Sequence, residues 1–260
     1  MPNSTKIAVC VDSSIFLAEV FGNETQSTRV GAIDRYQKTF QFKKCMSATV
    51  KIEVGRRMCE VIKLIAQTSK EFIKEFLASK GEESTIGLSD LTLIQSFFSG
   101  HKNKYKSKTS ELEVINSTES VLARYLVENC DRKKELKTVD FVLNLMTEFN
   151  KKLSSLRYEY NAKLSGYEVF STVVNPATCK KLQNERTLEK TAKKKPQDIQ
   201  ILCEVEAYKH DSKQTCLLAT VDERDFLNNS KTIESLIGIK CVDPIYIPNE
   251  FAHIPNANGA

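Results

Sequence analysis

The stretch that most constrains this chain is Lys6 to Leu17, KIAVCVDSSIFL. Ile7 to Val11 is a short, wholly apolar run, and such a run reads as a strand buried on both faces, as in a parallel sheet. It ends on a carboxylate, Asp12. The small hydroxyl residues Ser13 and Ser14 follow, and then apolar Ile15 to Leu17. A carboxylate at the carboxyl end of such a strand stands where open α/β sheets place their ligands. Asp is also a favoured helix N-cap, so this stretch alone leaves two readings open, a cap and a ligand site. Partner carboxylates further along decide between them.

Composition narrows the class. The chain has 260 residues, 41% hydrophobic and 27% charged, ordinary for a soluble globular protein of one large or two small domains. No apolar run approaches the ~20 residues a membrane span needs, so no membrane role is expected. The opening MPNSTKIAV has no basic segment before an apolar core, which argues against a secretory signal and for a cytoplasmic protein. The 8 cysteines are scattered without a CxxC pair, and there are 3 histidines. That pattern does not suit zinc, and the expected role of the thiols is core packing in a reducing compartment.

The net charge of +5 is unevenly spread. Ten acids and five bases from Asp198 onward leave that segment at −5 and the first 197 residues at +10. Such asymmetry suits a basic region that meets a polyanion and an acidic region that holds cations; solvated helix faces are the plainer explanation.

Along the chain, residues 14–20 read as a short helix and 22–44 as polar loop with a short amphipathic piece. From Ser47 to Gly81, Met58, Val61, Ile62, Ile65, Phe72, Ile73 and Phe76 recur at three- and four-residue intervals. That spacing predicts one long helix with Glu53 near its start and Gly81 at its end. From Leu88 to Gly166 the pattern is helical. One helix ends near Gly100, a second carries Leu112 to Leu126, and a long third is capped by Thr138 and ended by Gly166. These stripes predict a helical hairpin or small bundle. Between the first two lies SGHKNKYKSK, where Lys102, Lys104, Lys106 and Lys108 surround Tyr105. This is a mobile surface loop or a place for phosphates and a stacked base. A second basic run, Lys180 to Lys195, includes Lys193, Lys194 and Lys195 and stops at Pro196.

The last part changes character. Asp198 to Asp211 reads as a helix. Cys216 to Ala219 is a second buried strand, followed by Thr220 and a turn dense in acids: Asp222, Glu223 and Asp225. Residues 232–236 suggest a short helix, and 238–242 a last strand stopped by Pro244. Strand–carboxylate junctions at Asp12 and Asp222 with interleaved helices predict an α/β sheet with acids at one edge.

Together these pieces resemble the PIN-domain nucleases, the family of VapC-type toxin ribonucleases and several RNA-processing endonucleases. CVDSSIFL resembles the opening strand, with Asp12 as the acid and Ser14 as the small polar residue. SATVKIEV resembles the second motif with Glu53, DIQILCEVEA the third with Asp198, and LLATVDERDF the fourth with Thr220, Asp222 and Asp225. The closing GIKCVDP is also similar. The long connection between Glu53 and Asp198 departs from compact members, so Glu60 stands in reserve for Glu53. The resemblance implies a discontinuous PIN-like α/β domain, residues 1–80 and 175–260, with a parallel sheet flanked by helices. It also implies that residues 81–174 are an α-helical insertion.

It further implies a metal-dependent endoribonuclease. Asp12, Glu53, Asp198 and Asp222 would be catalytic and, with Asp225, would bind Mg²⁺ or Mn²⁺, while Ser14 and Thr220 support them. Hard divalent cations take carboxylate oxygens, and they activate water and neutralise a leaving oxygen in phosphodiester hydrolysis. Lys102, Lys104, Tyr105, Lys106, Lys193, Lys194 and Lys195 are expected to bind single-stranded or structured RNA at its phosphates, clear of the acids. Other partners in keeping with the family are an antitoxin or processing factor and a second copy in a homodimer. The competing reading is a PIN-fold scaffold or nucleic-acid-binding protein with little or no catalysis. A structure-specific DNA nuclease of related fold would need more acids.

Overall fold

The computed structural model describes residues 7–21, 24–106, 109–130 and 136–252. β1 (Ile7–Val11) runs straight into α1 (Ser13–Phe21), and α2 (Glu24–Phe40) leads to β2 (Lys43–Ser47). Then come α3 (Ala48–Lys80), β3 (Thr85–Ile86), α4 (Leu91–Lys104), α5 (Thr109–Asn129), β4 (Leu136–Lys137) and α6 (Thr138–Leu164). β5 (Glu168–Phe170), α7 (Pro176–Gln183), α8 (Glu189–Lys194), α9 (Pro196–Ser212) and β6 (Thr215–Ala219) follow. The chain closes with α10 (Ser230–Ile237), β7 (Lys240–Val242) and α11 (Ile247–Ala252). No helix among the described residues is long and apolar enough to cross a membrane.

The chain forms two compact units, Met1–Gly55 with Glu159–Ala260, and Arg56–Tyr158. Their boundaries differ from the expected split of 1–80 and 175–260 against 81–174. Both fall inside long helices, since α3 and α6 each belong partly to one unit and partly to the other.

In the first unit, five strands form one parallel sheet in the order β5-β2-β1-β6-β7. β1 is central and every one of its residues is buried, which is why its run is continuously apolar. From β1 the chain winds outward to β2 and β5, then returns beside β1 at β6 and winds the other way to β7. The direction therefore reverses between β1 and β6, and open α/β sheets bind ligands at the carboxyl ends of such a pair. The ladder continues past the strand ends: the Asp12 amide donates to Ala219 O (3.2 Å) and the Thr220 amide to Val242 O (3.0 Å).

The helix α9 is buried over most of its length, including Ile201, Leu202, Cys203 and Val205. Pro196 at its first turn presets helical φ and lacks the amide that would go unbonded there. Cys10, Cys45, Cys216 and Cys241 are buried on the strands, as core packing predicts. Contact with the Cys216 and Cys45 thiols, together with burial, holds the Cys10 thiol well above its usual range. The expectation of unpaired core thiols fails at Cys179 and Cys203, whose sulfurs pair and tie α7 to α9 with Cα atoms 5.7 Å apart. Two packed helices here bring the thiols into the range that allows a bridge.

Residues 22–44 were expected to be mainly loop, but they hold the 17-residue α2 and the start of β2. Val30, Ala32 and Ile33 bury the inner face of α2, although its mean hydropathy is low. β5 also escaped notice, because only Phe170 of its three residues is buried.

The second unit, described by itself, is helical. An aromatic cluster of Phe72, Phe76, Phe97, Phe98, Tyr125 and Phe141 forms its core, with ring centroids 5.1–6.1 Å apart. Edge-on and tilted contacts of this kind add attraction beyond area burial. Gly81 follows α3 with φ +80, the left-handed conformation glycine adopts at no steric cost. The helix expected to stop near Gly100 instead runs to Lys104, and its last turns carry His101 stacked on Phe97 and bonded to Glu71 (2.8 Å). A short antiparallel pair, β3 with β4, brings Ser84 and Thr138 together.

An ion cluster outside the acid edge, with Lys44 and Glu19 buried and Asp34 half-exposed, links β2, α1 and α2 of the first unit. Lys44 on β2 reaches Glu19 of α1 (3.4 Å) and Asp34 of α2 (2.6 Å), and lies over the Tyr167 ring (4.3 Å). Tyr167 donates its hydroxyl to Glu19 (2.9 Å). The Lys44 side chain is 5% exposed and that of Glu19 3%. Removing one member strands its partner's charge away from water. Lys44→Met should therefore cost about 3 kcal/mol in urea unfolding, and adding Glu19→Gln should recover part of that loss. A loss below about 1 kcal/mol would show that the cluster is solvated.

Candidate metal centre

The site begins at Asp12, directly after β1. Its Oδ1 accepts from the Ser14 hydroxyl (2.6 Å) and the Ile15 amide (3.2 Å), and its Oδ2 accepts from the Thr220 hydroxyl (2.6 Å). The bond to Ile15, three residues on, is an N-cap of α1. The cap and ligand readings are thus not exclusive: Oδ1 caps the helix, while Oδ2 keeps a lone pair. The two hydroxyls extend the network to β6. Ser14 Oγ accepts from the Val221 amide (3.2 Å), and Thr220 Oγ1 accepts from the Asp222 amide (2.9 Å). Ser14 and Thr220 therefore fix the end of β1 to the turn after β6.

That turn carries the second part. The Asp225 amide donates to Asp222 Oδ1 (2.9 Å), so the two acids share one tight bend. Asp198 comes from α9, in the first turn after Pro196, where helix ends favour an acid. Ligand oxygens of Asp198, Asp222 and Asp225 lie within 4.8 Å of one another. Asp12 and Glu53 stand outside this mutual group. Asp12 is bonded instead to Ser14 and Thr220, while Asp225 belongs to the group.

Glu53 lies in the second turn of α3, which starts at the carboxyl end of β2, next to β1. Its Oε2 is buried and has no hydrogen-bond partner, and the same is true of Asp198 Oδ2. Such buried orphan acceptors are costly unless a cation, proton or water meets them. Lys195 Nζ, 3.9 Å away, is a cationic partner for Asp198 Oδ2, whereas Glu53 Oε2 has none, and carboxylate oxygens of this kind are the donors a hard divalent ion takes. The reserve acid Glu60 is exposed and occupied by Arg56 (2.6 Å) and Arg57 (3.0 Å).

Two supporting residues carried no motif signal. Glu204 of α9 is buried and accepts from the Thr49 amide (3.3 Å) and hydroxyl (2.6 Å) at the start of α3. This carboxylate pins the helix that carries Glu53 to the helix that carries Asp198. Its place six residues after Asp198, nearly two turns along one helix, was the only sequence clue. Thr191 of α8 donates its hydroxyl to Asp225 Oδ1 (2.8 Å).

The expected phosphate-binding lysines divide. Lys195 was expected clear of the acids, yet its ammonium lies among them, 2.5 Å from Asp225 Oδ2, 3.1 Å from Asp222 Oδ2 and 3.9 Å from Asp198 Oδ2. The reason is local: Lys195 precedes Pro196, so α9 starts at once and holds Lys195 one turn from Asp198. Lys193 is exposed and bonded to Glu189 (2.5 Å), and Lys194 is exposed. In the other unit Lys102 pairs with Glu119, and Lys104 lies over the Tyr105 ring (5.6 Å). Lys106 is exposed in the turn after α4, and Lys108 lies outside the described residues.

Charge crowding shows in the protonation behaviour. Burial raises the Asp12 carboxyl to about 6, against the bonds from Ser14 and Thr220 that favour its anion; the nearby charge of Asp222 raises it further. Burial raises Asp198 to about 7, opposed by Lys195 and reinforced by Asp225, Asp12 and Asp222. Burial would raise Asp225 too, but Lys195 and Thr191 bring it below the usual range. The same contacts hold Lys195 above its usual value despite partial burial.

No protein-family model, curated protein or solved structure matches this chain.

A pH prediction follows from the raised acids, which bind protons more tightly folded than unfolded. Their contribution to stability is full below about pH 4, the range of a free aspartate. It is lost as pH rises through about 6 at Asp12 and about 7 at Asp198. Asp198→Asn removes one such group. In chelator, the melting temperature of the variant relative to wild type should rise between about pH 5 and pH 8. A difference that stays flat would mean that Asp198 ionises freely.

Proposed function

We propose that the chain is a divalent-metal-dependent endoribonuclease of PIN type. Its α/β unit carries the reaction, and Asp198, Asp222 and Asp225, with Asp12 and Glu53 beside them, hold Mg²⁺ or Mn²⁺. What supports the reading is one observation: ligand oxygens of Asp198, Asp222 and Asp225 gather within 4.8 Å of one another, near the charge of Asp12, where the sheet reverses its winding between β1 and β6. The buried Glu53 Oε2, which has no hydrogen-bond partner, adds to it.

Hydrolysis of a phosphodiester needs an activated water and a neutralised leaving oxygen, and a bound divalent ion supplies both. The chain's own residues supply the rest. Asp198, Asp222 and Asp225 offer oxygen ligands from a helix start and a tight turn. Asp12, fixed by three hydrogen bonds, adds negative potential at an unvarying position. Preorganised charge of this kind needs no rearrangement when the reaction occurs. Lys193 and Lys194 of α8 would meet phosphates without reading bases.

A second reading, a non-catalytic scaffold of the same fold, draws support from Lys195, since an ammonium on the acids resembles a site completed without metal. Incubating a mixed RNA pool with Mg²⁺, Mn²⁺ or chelator separates the two. The enzyme reading expects metal-dependent internal cleavage; the scaffold reading expects binding only.

Asp222→Asn should reduce cleavage by about 10²–10³-fold, the scale of one lost electrostatic contact to a transition state. The amide retains an Oδ1 that can accept from Asp225, so melting in chelator should hold steady or rise slightly. Parallel loss of activity and melting temperature would mark Asp222 as structural. Lys193→Ala with Lys194→Ala should weaken RNA binding for all sequences and reduce its salt slope by roughly 1.4, about 0.7 per contact on single strands. An unchanged slope would return α8 to a merely solvated surface.

A further inference from the structure

We propose that Lys195 is a resident counter-cation, which competes with a divalent ion for the oxygens of Asp222 and Asp225 and so sets the metal affinity of the site. This inference rests on the metal reading given above. Lys195 Nζ lies 3.1 Å from Asp222 Oδ2 and 2.5 Å from Asp225 Oδ2, two of the three acids whose ligand oxygens gather within 4.8 Å. An ion held by those same two oxygens needs the space between them that the ammonium fills. Metal and ammonium cannot both have it.

The backbone of Lys195 is fixed while its side chain is not. Its amide donates to Thr191 O (2.7 Å) and its carbonyl accepts from the Asp198 amide (3.0 Å). Pro196 then opens α9 and disfavours a helical conformation at Lys195, whose φ is −136° and ψ 67°. Thr191 ties α8 to Asp225 as well. The anchor of Lys195 thus stays beside the acids whichever cation is present. Its side chain is half exposed, and four rotatable bonds let the ammonium swing out to water.

Charge gives the direction of the exchange. Asp198, Asp222 and Asp225 place three acids against one ammonium, and Asp12 adds a fourth charge nearby. One monovalent group cannot balance them. It makes the metal-free fold tolerable, and a divalent ion does better. Of the neighbouring lysines, Lys193 is engaged with Glu189 and Lys194 is exposed, so the role belongs to Lys195.

The test is Mn²⁺ binding by calorimetry, with wild type, Lys195→Met and Lys194→Met. If the ammonium occupies the acids in about nine molecules of ten, removing it should tighten Mn²⁺ binding about tenfold. Lys194→Met removes the same charge one residue away and should change affinity less than about twofold. Equal gains in both variants would reduce the effect to net charge and overturn the proposal. Unchanged or weaker binding in Lys195→Met would also overturn it. Absence of Mn²⁺ binding in all three proteins would defeat the metal reading and the proposal together. Melting gives the second readout. Lys195→Met should melt lower than wild type in chelator and gain more from Mn²⁺. A variant that folds only with Mn²⁺ would support the exchange, and one unfolded in both conditions would count against it.

Discussion

Asp12 accepts three hydrogen bonds at the end of a fully buried strand, and two of the donors, Ser14 and Thr220, are themselves bonded to the turn after β6. This small network joins the two strands between which the sheet reverses direction. It also fixes a negative charge beside Asp198 and Asp222, which must adjust to it. The surrounding features answer that constraint. Lys195 brings an ammonium, Thr191 orients Asp225, and burial with like charge raises the Asp198 carboxyl to about 7. Protons, an ammonium and a divalent ion are alternative ways to meet the same excess of charge.

Of the seven strands among the described residues, β1, β6 and β7 were legible, because a buried parallel strand is often written as an unbroken apolar run, and β2, KKCMS, was not. Ile7 to Val11 and Cys216 to Ala219 are of that kind, and both end beside acids. β5 was not legible: an edge strand of three residues with one buried side chain has no pattern to find. The α2 stretch misled for the opposite reason. Its polar composition hides a buried face carried by Val30, Ala32 and Ile33. The long helices α3 and α6 were legible from their stripes, but the stripe does not say where one compact unit gives way to the next. Both continue through that boundary.

At the site, the acids were legible as types and not as partners. Asp198 and Asp222 carry the signal of a helix start and a strand end. Whether Asp225 joins them or Asp12 does depends on hydrogen bonds one residue wide, from Thr220, Ser14 and Thr191. Glu204 was silent because a buried acid inside an apolar helix looks like a surface position until its partner, Thr49, is known. Lys195 shows the limit of reading charge runs. Three successive lysines look alike in sequence, yet Pro196 fixes the last one against the acids and leaves its two neighbours on the surface of α8.

The central claim is that the carboxylates at the ends of β1 and β6 are a divalent-ion site. Anomalous diffraction from crystals grown in Mn²⁺ tests it most directly. The account predicts a Mn²⁺ peak with oxygens of at least two of Asp198, Asp222 and Asp225 at about 2.0–2.2 Å, close to the range of Mg²⁺, and the Lys195 ammonium displaced. A well-ordered site with no anomalous peak at millimolar Mn²⁺, and Lys195 still seated on Asp222 and Asp225, would contradict it.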